Sequence, residues 1–531
     1  MNARLLASFV FLVVPSFANA QDDFRTAFAY YKTCLDRPPM LAKTRGREAL
    51  ARTADPRAAK ILAKRYRSLE APFDRNRSIM VTLLNRHFKP SESVITFQKL
   101  MKASRGRKHA WLWFRGLQLQ ADQFGGEPVL AAFDKARDPF LKYAALQALF
   151  DGEYQGMEAV GALLEEPPTA KLEHFLLMGA VMEGLRTFKR RLGTKEYDRT
   201  LEAAIKQFDG EEAPRRSKIM MARYLGKIFN SKSRSIRGAS WLRQMKAGRN
   251  KEFANDGYGT SFFNIRASGD RIAFVIDLSD SMLTPLPDKV RKRGGVTGVP
   301  DKKKKNDPFA SEYKIPWHKV KNRFDLAREN IKASLYSLKK GKSFAVIGFG
   351  EKASLLPGCS GMIPATKKNI KRVIRALNTI KPGPSRTDRP YGTLWGSTNL
   401  HGGLQRAFGV RRKGVVATFE NTDEKALLQG ADTIFVLSDG DPTWSDYDLV
   451  APNYGEDTIG DPESRTPMET GTELHYCGPF RDWERLLDDA ERMNLFRKAE
   501  IHCIGIGKGV QRKELKRLAD LGLGQTKFFD L

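Results

Sequence analysis

The chain has 531 residues, 41% of them hydrophobic and 10% aromatic, with four cysteines. That length and apolar content exclude a wholly disordered chain, a collagen-like repeat and a disulfide scaffold, and imply two or three domains. Ninety-one Lys and Arg against 61 Asp and Glu leave a net charge of +30, which favours anionic partners or surfaces without saying which. At the start, Arg4 precedes an apolar run from Leu5 to Val14, followed by Pro15 and an Ala18-Asn19-Ala20 cleavage pattern. The run is too short to anchor a chain in a bilayer, and no later window is long and apolar enough to span one. Residues 1–20 are therefore expected to be a signal peptide, with a buried N-terminal helix as the alternative. The mature chain is expected to be exported, periplasmic or extracellular, with no membrane span. Export permits disulfides, and Cys34, Cys359, Cys477 and Cys503 allow three pairings. Cys503 also suits a buried free thiol, because it lies inside an apolar run.

From 21 to 250 the pattern is helical. Asp138-Pro139 opens a segment as N-cap and first helical residue, and its apolar positions 141, 144, 145, 148 and 149 fall on one helix face. An echo, Asp55-Pro56 before an Ala/Leu-rich stretch, begins 83 residues earlier, about twice the period of paired-helix repeats. These two stretches resemble HEAT-repeat helices, which implies an α-solenoid; an irregular helical domain is the alternative. The region carries a net +19, with clusters at Lys102, Arg105, Arg107 and Lys108 and at Lys189, Arg190 and Arg191. Such clusters are a solvated face or a groove for an anionic polymer or surface.

A Gly/Asn/Asp/Ser-rich stretch near 248–259 reads as a linker, placed at 251–265, before a second domain over 266–531. There the period changes. Apolar runs at 271–276, 343–349, 432–438 and 500–506 read as strands buried on both faces, and 526–530 as a terminal strand. Between and after them lie helical patterns at 323–338, 370–377, 403–408, 483–498 and 512–521. Alternating strand and helix predict an α/β domain with a mostly parallel sheet.

Ligands of such sheets bind beyond the carboxyl ends of the strands. Three segments bring oxygen-bearing side chains there: Asp277-Leu278-Ser279-Asp280-Ser281 after the first strand, Ser397-Thr398-Asn399 before a helix, and Ser438-Asp439-Gly440-Asp441 after a strand. Carboxylate and hydroxyl oxygens are hard ligands, suited to Mg²⁺, Mn²⁺ or Ca²⁺. With Asp277 and Asp439 as the only charged groups, a dication there is roughly neutralised and keeps an open position for an outside carboxylate. Nothing in the set activates water.

These residues resemble those of a von Willebrand factor A domain. Asp277, Ser279 and Ser281 match its Asp-x-Ser-x-Ser element, Thr398 its threonine and Asp439 its second aspartate. The resemblance implies a Rossmann-like sheet with helices on both faces. It also implies a metal-ion-dependent adhesion site holding a divalent cation, Mg²⁺ first and Ca²⁺ or Mn²⁺ as alternatives. The cation would be completed by an acidic residue of a protein ligand.

Two insertions depart from the family pattern. One, 284–321, holds a basic stretch of net +6 over 288–305; the other, 441–473, is acidic, net −8. They read as solvated loops, or as flaps on the metal face from which Asp280, Asp441 or an insertion carboxylate closes the open position. Enzymatic motifs fail. The stretch before Gly341-Lys342-Ser343 lacks the first glycine of a phosphate loop, Gly358-Cys359-Ser360-Gly361 does not complete a nucleophile elbow, and no His-Glu-x-x-His or Cys-x-x-Cys occurs. His401, His475 and Cys477 can cluster near the metal face, though a structural role is the simpler reading. The sequence thus points to a secreted, non-enzymatic adhesion or scaffold protein with a cation-dependent protein-binding domain. The alternative is a polyanion-binding module working through the basic helical half, with the α/β domain structural.

Overall fold

The computed structural model describes residues 18–36, 40–68, 106–152, 157–165, 167–210, 213–247, 260–288, 313–350, 352–383, 398–416, 422–442 and 483–531. Before residue 250 these residues form helices: α1 (Ala18–Asp36), α2 (Met40–Arg52), α3 (Pro56–Ser68), α4 (Ala110–Phe124), α5 (Glu127–Lys135), α6 (Pro139–Asp151), α7 (Met157–Glu165), α8 (Lys171–Thr187), α9 (Lys195–Lys206), α10 (Arg215–Ile228) and α11 (Gly238–Ala247). Both Asp-Pro signals cap helices: the Phe140 N–H donates to Asp138 Oδ1 at 2.9 Å and the Arg57 N–H to Asp55 Oδ1 at 2.8 Å. A single apolar face for α6 was too narrow an expectation, since Phe140 and every residue from Tyr143 to Phe150 is buried. The reason lies in its neighbours. Helices α4, α6, α8 and α10 pack in succession, and α7, α9 and α11 form a second row. The α/β half covers the first row from another side. In the second row, α9 buries only Tyr197, Leu201, Ala204 and Ile205, the stripe of an amphipathic helix.

The remaining described residues form an α/β layer structure. A hairpin, β1 (Thr260–Phe262) and β2 (Ile265–Ala267), precedes β3 (Arg271–Asp277), α12 (Arg323–Ser337), β4 (Ser343–Phe349), β5 (Ala353–Leu355), β6 (Ile363–Pro364) and α13 (Lys367–Thr379). Then come α14 (Leu400–Gly409), α15 (Glu424–Gln429), β7 (Thr433–Ser438), α16 (Trp483–Asn494), β8 (Glu500–Ile506), α17 (Arg512–Leu521) and β9 (Thr526–Phe529). The sheet runs β5-β4-β3-β7-β8-β9, with β6 also on β4; β4, β3, β7, β8 and β9 are mutually parallel, while β5 and β6 are antiparallel. The apolar runs fold as strands because both faces are covered. Ile272, Phe274 and Ile276 join the core under α12 and α13. Ala273 and Val275 join the core under α14, α16 and α17.

Several expectations change here. The linker was drawn too long, because Phe262 of the hairpin packs edge-on against Phe274 and Phe435, at 5.3 and 5.4 Å between ring centres. Three-residue strands among polar residues leave no periodic signal. Helix α16 stops at Asn494, whose side chain bonds Ala499 in both directions at 2.8 and 3.1 Å and turns the chain into β8. Cys359 and Cys503 form no disulfide; burial pushes the Cys359 thiol up to about 11 and Cys503 higher still. Cys477, residues 1–17, 289–312 of the basic insertion and 443–473 of the acidic one lie outside the described residues. The expected cleavage triplet, Ala18-Asn19-Ala20, lies within the described part of α1. No helix among the described residues is long and apolar enough to cross a membrane.

The helical half docks on the amino-terminal ends of the strands. Arg216 donates to the carbonyls of Gly430 and Ala431 at 3.0 and 3.2 Å, and Arg223 to those of Asp432 and Lys498 at 3.2 and 2.6 Å. Arg215 forks onto Asp270 at 2.5 and 3.2 Å, and Arg115 reaches Glu491 at 2.6 Å. Between these polar clamps Phe496, in the turn before β8, enters the helical core against Phe140 and Tyr143. Arg115, Arg215, Arg216 and Arg223 of the first half thus find their partners on the α/β half. Of the basic clusters, Arg107 pairs with Glu424 and lies over the Phe140 ring, while Lys102 and Arg105 fall outside the described residues.

Candidate metal centre

Strand order reverses beside β3: the chain passes first to β4 on one side and later to β7 on the other. At such a switch point the loops leaving the two strands diverge and open a crevice at their carboxyl ends. Asp277 ends β3, and Asp439 follows Ser438, the last residue of β7. Both carboxylates are buried, at 0% and 2% residue exposure, so little water answers their charge.

Hydrogen bonds tie the two loops into one cluster. Asp277 accepts the Ser279 N–H on Oδ1 at 2.9 Å and the Ser438 hydroxyl on Oδ2 at 2.9 Å. The Ser281 hydroxyl donates to Asp439 Oδ1 at 2.6 Å, and the hydroxyls of Ser279 and Ser281 lie 3.0 Å apart. Burial, and then the charge of Asp439, raise the Asp277 carboxyl well above the usual range, against the hydrogen bonds from Ser279 and Ser438. Ser281 is exposed, so the cluster opens to solvent on that side. Thr398 arrives from a third segment. The N–H of its neighbour Asn399 donates to Gly350 O, just past β4, at 2.6 Å, while the Asn399 side chain caps α14 through the Gly402 N–H at 2.6 Å. Thr398 is thereby held at the carboxyl end of β4, beside β3, and is itself buried.

Of the five sequence-predicted residues, Asp277, Ser279, Ser281 and Asp439 share one bonded cluster, and Thr398 stands at the same end of the sheet. Sequence reasoning missed two. Ser438 is the hydroxyl partner of Asp277, and its only signal is its place beside Asp439. Arg323, the first residue of α12, donates from Nη1 to Asp439 Oδ2 at 2.8 Å. The expectation of only two charged groups at the site is therefore corrected: the site holds a guanidinium as well. Asp441, expected as a stopper of the open position, instead accepts from Gln511 Nε2 at 3.1 Å and from Trp483 Nε1 at 3.4 Å. His401 points into the helix layer, 2.6 Å from Asp489 of α16, with Arg492 Nε donating to the same carboxylate at 2.5 Å. That network braces α14, which follows Thr398; His475 lies outside the described residues.

Two buried carboxylates and three hydroxyls are a hard-oxygen donor set, and two like charges in so dry a place create a demand for a cation. Among the described residues no group of three or more His, Cys, Asp and Glu gathers as a metal site. The residues present fit a small dication.

No protein-family model matches the chain, and no curated protein does. Among solved structures it is similar to proximal thread matrix protein 1 from the mussel byssus, with 16% identity over 55% of this chain and a TM-score of 0.25. The match spans about half, 48%, of that protein. A likeness of this strength says nothing of function.

Proposed function

We propose that the α/β half is a von Willebrand factor A-type domain with a Rossmann-like sheet, and that Asp277, Ser279, Ser281, Thr398 and Asp439 hold one divalent cation, Mg²⁺ before Ca²⁺ or Mn²⁺. The cation takes an acidic residue of a protein ligand as its remaining partner, and the chain acts as an exported, non-enzymatic adhesion or scaffold protein. The helical half, read as a HEAT-like solenoid, carries the binding domain and turns its site outward. One observation supports this reading above the others: the bond from Ser281 to Asp439, joining loops 158 residues apart at the switch point of the sheet. The cluster offers a cation oxygens alone, the chemistry Mg²⁺ and Ca²⁺ require. When bound, the cation supplies an electrophilic site for a carboxylate. Asp277 and Asp439 carry the balancing charge, while Ser279, Ser281 and Thr398 orient around it.

The test titrates Mn²⁺ into the full chain and follows the free ion by electron paramagnetic resonance. One ion per chain, displaced by Mg²⁺ and lost in Asp277→Ala, supports the site; uptake indifferent to that substitution overturns it. The polyanion reading rests on the exposed Lys189, Arg190 and Arg191, while Arg115, Arg215, Arg216 and Arg223 are engaged with the α/β half.

A further inference from the structure

The proposed site carries a cation of its own. Arg323 Nη1 stands 2.8 Å from Asp439 Oδ2; the arginine side chain is 13% exposed and the aspartate side chain 0%. Three features show that this pair is built rather than incidental. Arg323 is the first residue of α12, where the helix dipole disfavours a positive charge, so Asp439 outweighs a local penalty. Gly507, just past β8, makes the slot: at φ +102° it suits glycine, and a Cβ there would stand 2.5 Å from Arg323 Nη2 and 2.7 Å from Cζ. The Arg323 N–H also bonds Thr284 O at 3.2 Å, which fixes the start of α12 to the loop that carries Ser279 and Ser281.

Both oxygens of Asp439 are consequently held, Oδ1 by Ser281 and Oδ2 by Arg323. Asp277 has only neutral donors, the hydroxyl of Ser438 and the N–H of Ser279. A dication entering between these carboxylates meets a fixed positive charge on one of them, and in a site this dry that repulsion is weakly screened.

We infer that Arg323 is an internal counter-cation that competes with the divalent ion for Asp439, so that metal binding requires the guanidinium to leave this carboxylate. The inference rests on the metal-site reading above. It makes the site self-limiting: without metal, Arg323 holds half of the acid pair neutral, and the ion binds more weakly than the oxygen set alone would allow. Once displaced, the guanidinium stays tethered at the rim, where it adds attraction for an anionic group of the partner.

Calorimetric titration of the full chain with Mg²⁺ tests this, with Asp439→Asn as the reference for non-specific heat. Arg323→Met and Arg323→Gln both remove the charge, and making both keeps the answer independent of the folding of either one. They are expected to bind Mg²⁺ about tenfold or more tightly than the unaltered chain. Arg323→Lys keeps the charge and is expected to stay within a few-fold of it. Binding by the neutral variants alone also supports the inference. Equal or weaker binding by both neutral variants, beside measurable binding by the unaltered chain, overturns the role of Arg323 and leaves the metal site standing. A lysine variant as tight as the neutral ones overturns competition by charge. Mg²⁺ taken up by none of these proteins overturns the metal site, and this inference with it.

Discussion

At the amino-terminal ends of β3, β7 and β8, buried charge is answered from within the fold; at their carboxyl ends it is answered only in part. Below the sheet, Arg216 and Arg223 find backbone carbonyls, Arg215 finds Asp270, and Arg234 lies 3.9 Å from Glu500. Above it, Asp277 and Asp439 are held by the hydroxyls of Ser438 and Ser281, and a single guanidinium meets Asp439 alone. On the proposed reading, the difference separates structure from function. A buried charge that meets its partners in the same chain fixes one packing, whereas a pair left short of a cation is a place where something from outside can bind.

The largest effect should come from breaking the lower end. Burial pushes the Arg216 guanidinium down to about 9, against the nearby charge of Asp432, and its N–H groups donate to the carbonyls of Gly430 and Ala431. Arg216→Ala with Arg223→Ala removes the side-chain donors of the Gly430, Ala431 and Lys498 carbonyls, while that of Asp432 keeps only the Glu500 N–H. This should lower unfolding stability by about 3–5 kcal/mol in urea melts followed by circular dichroism. A midpoint that does not move would show that the guanidiniums only decorate a contact made by Phe496.

A smaller effect reports on charge balance by pH. Burial alone would raise the Glu500 carboxyl, but His502, Arg234 and Arg223 outweigh it and hold it at about 2. A depressed carboxyl stabilises the fold above its unfolded value, about 4.3, and that stability disappears as pH falls from there toward 2. Glu500→Gln should therefore cost on the order of 2 kcal/mol at pH 7 and nothing near pH 2. Melting curves of equal displacement at both pH values would contradict the pairing.

The smallest effect has the opposite sign, and this sharpens the comparison. The Asp277 carboxyl is raised, so its ionisation opposes folding, and the opposition grows as pH climbs through the raised value. Asp277→Asn should stabilise the chain in EDTA by about 1 kcal/mol at pH 8, with the gain fading by pH 4. In excess Mg²⁺ the order should invert, because only the unaltered chain gains from the ion. A variant less stable than the parent in EDTA would place the acid pair among ordinary structural contacts.

The upper end was largely legible in the sequence and the lower end was not, for physical reasons. An Asp directly after an apolar run, with Ser two and four residues on, marks a strand end whose loop aims oxygens at one point; Asp439 after β7 repeats the first half of that signal. Strands β4 and β8 were legible to the residue because apolar runs covered on both faces admit no amphipathic drift. Arg323 escaped because it meets Asp439 across 116 residues, and nothing in local spacing records such a pair. The docking arginines escaped for a related reason. No local pattern marks Arg216 and Arg223 on α10, and only the fold brings the carbonyls of Gly430 and Asp432 to them.

One measurement bears directly on the acid pair: the anomalous difference map of crystals of the full chain grown in Mn²⁺. One strong peak is expected between Asp277 and Asp439, within bonding distance of the hydroxyls of Ser279 and Ser281, with Arg323 withdrawn from Asp439. No peak there at saturating Mn²⁺, with the guanidinium still seated on Asp439, would contradict it.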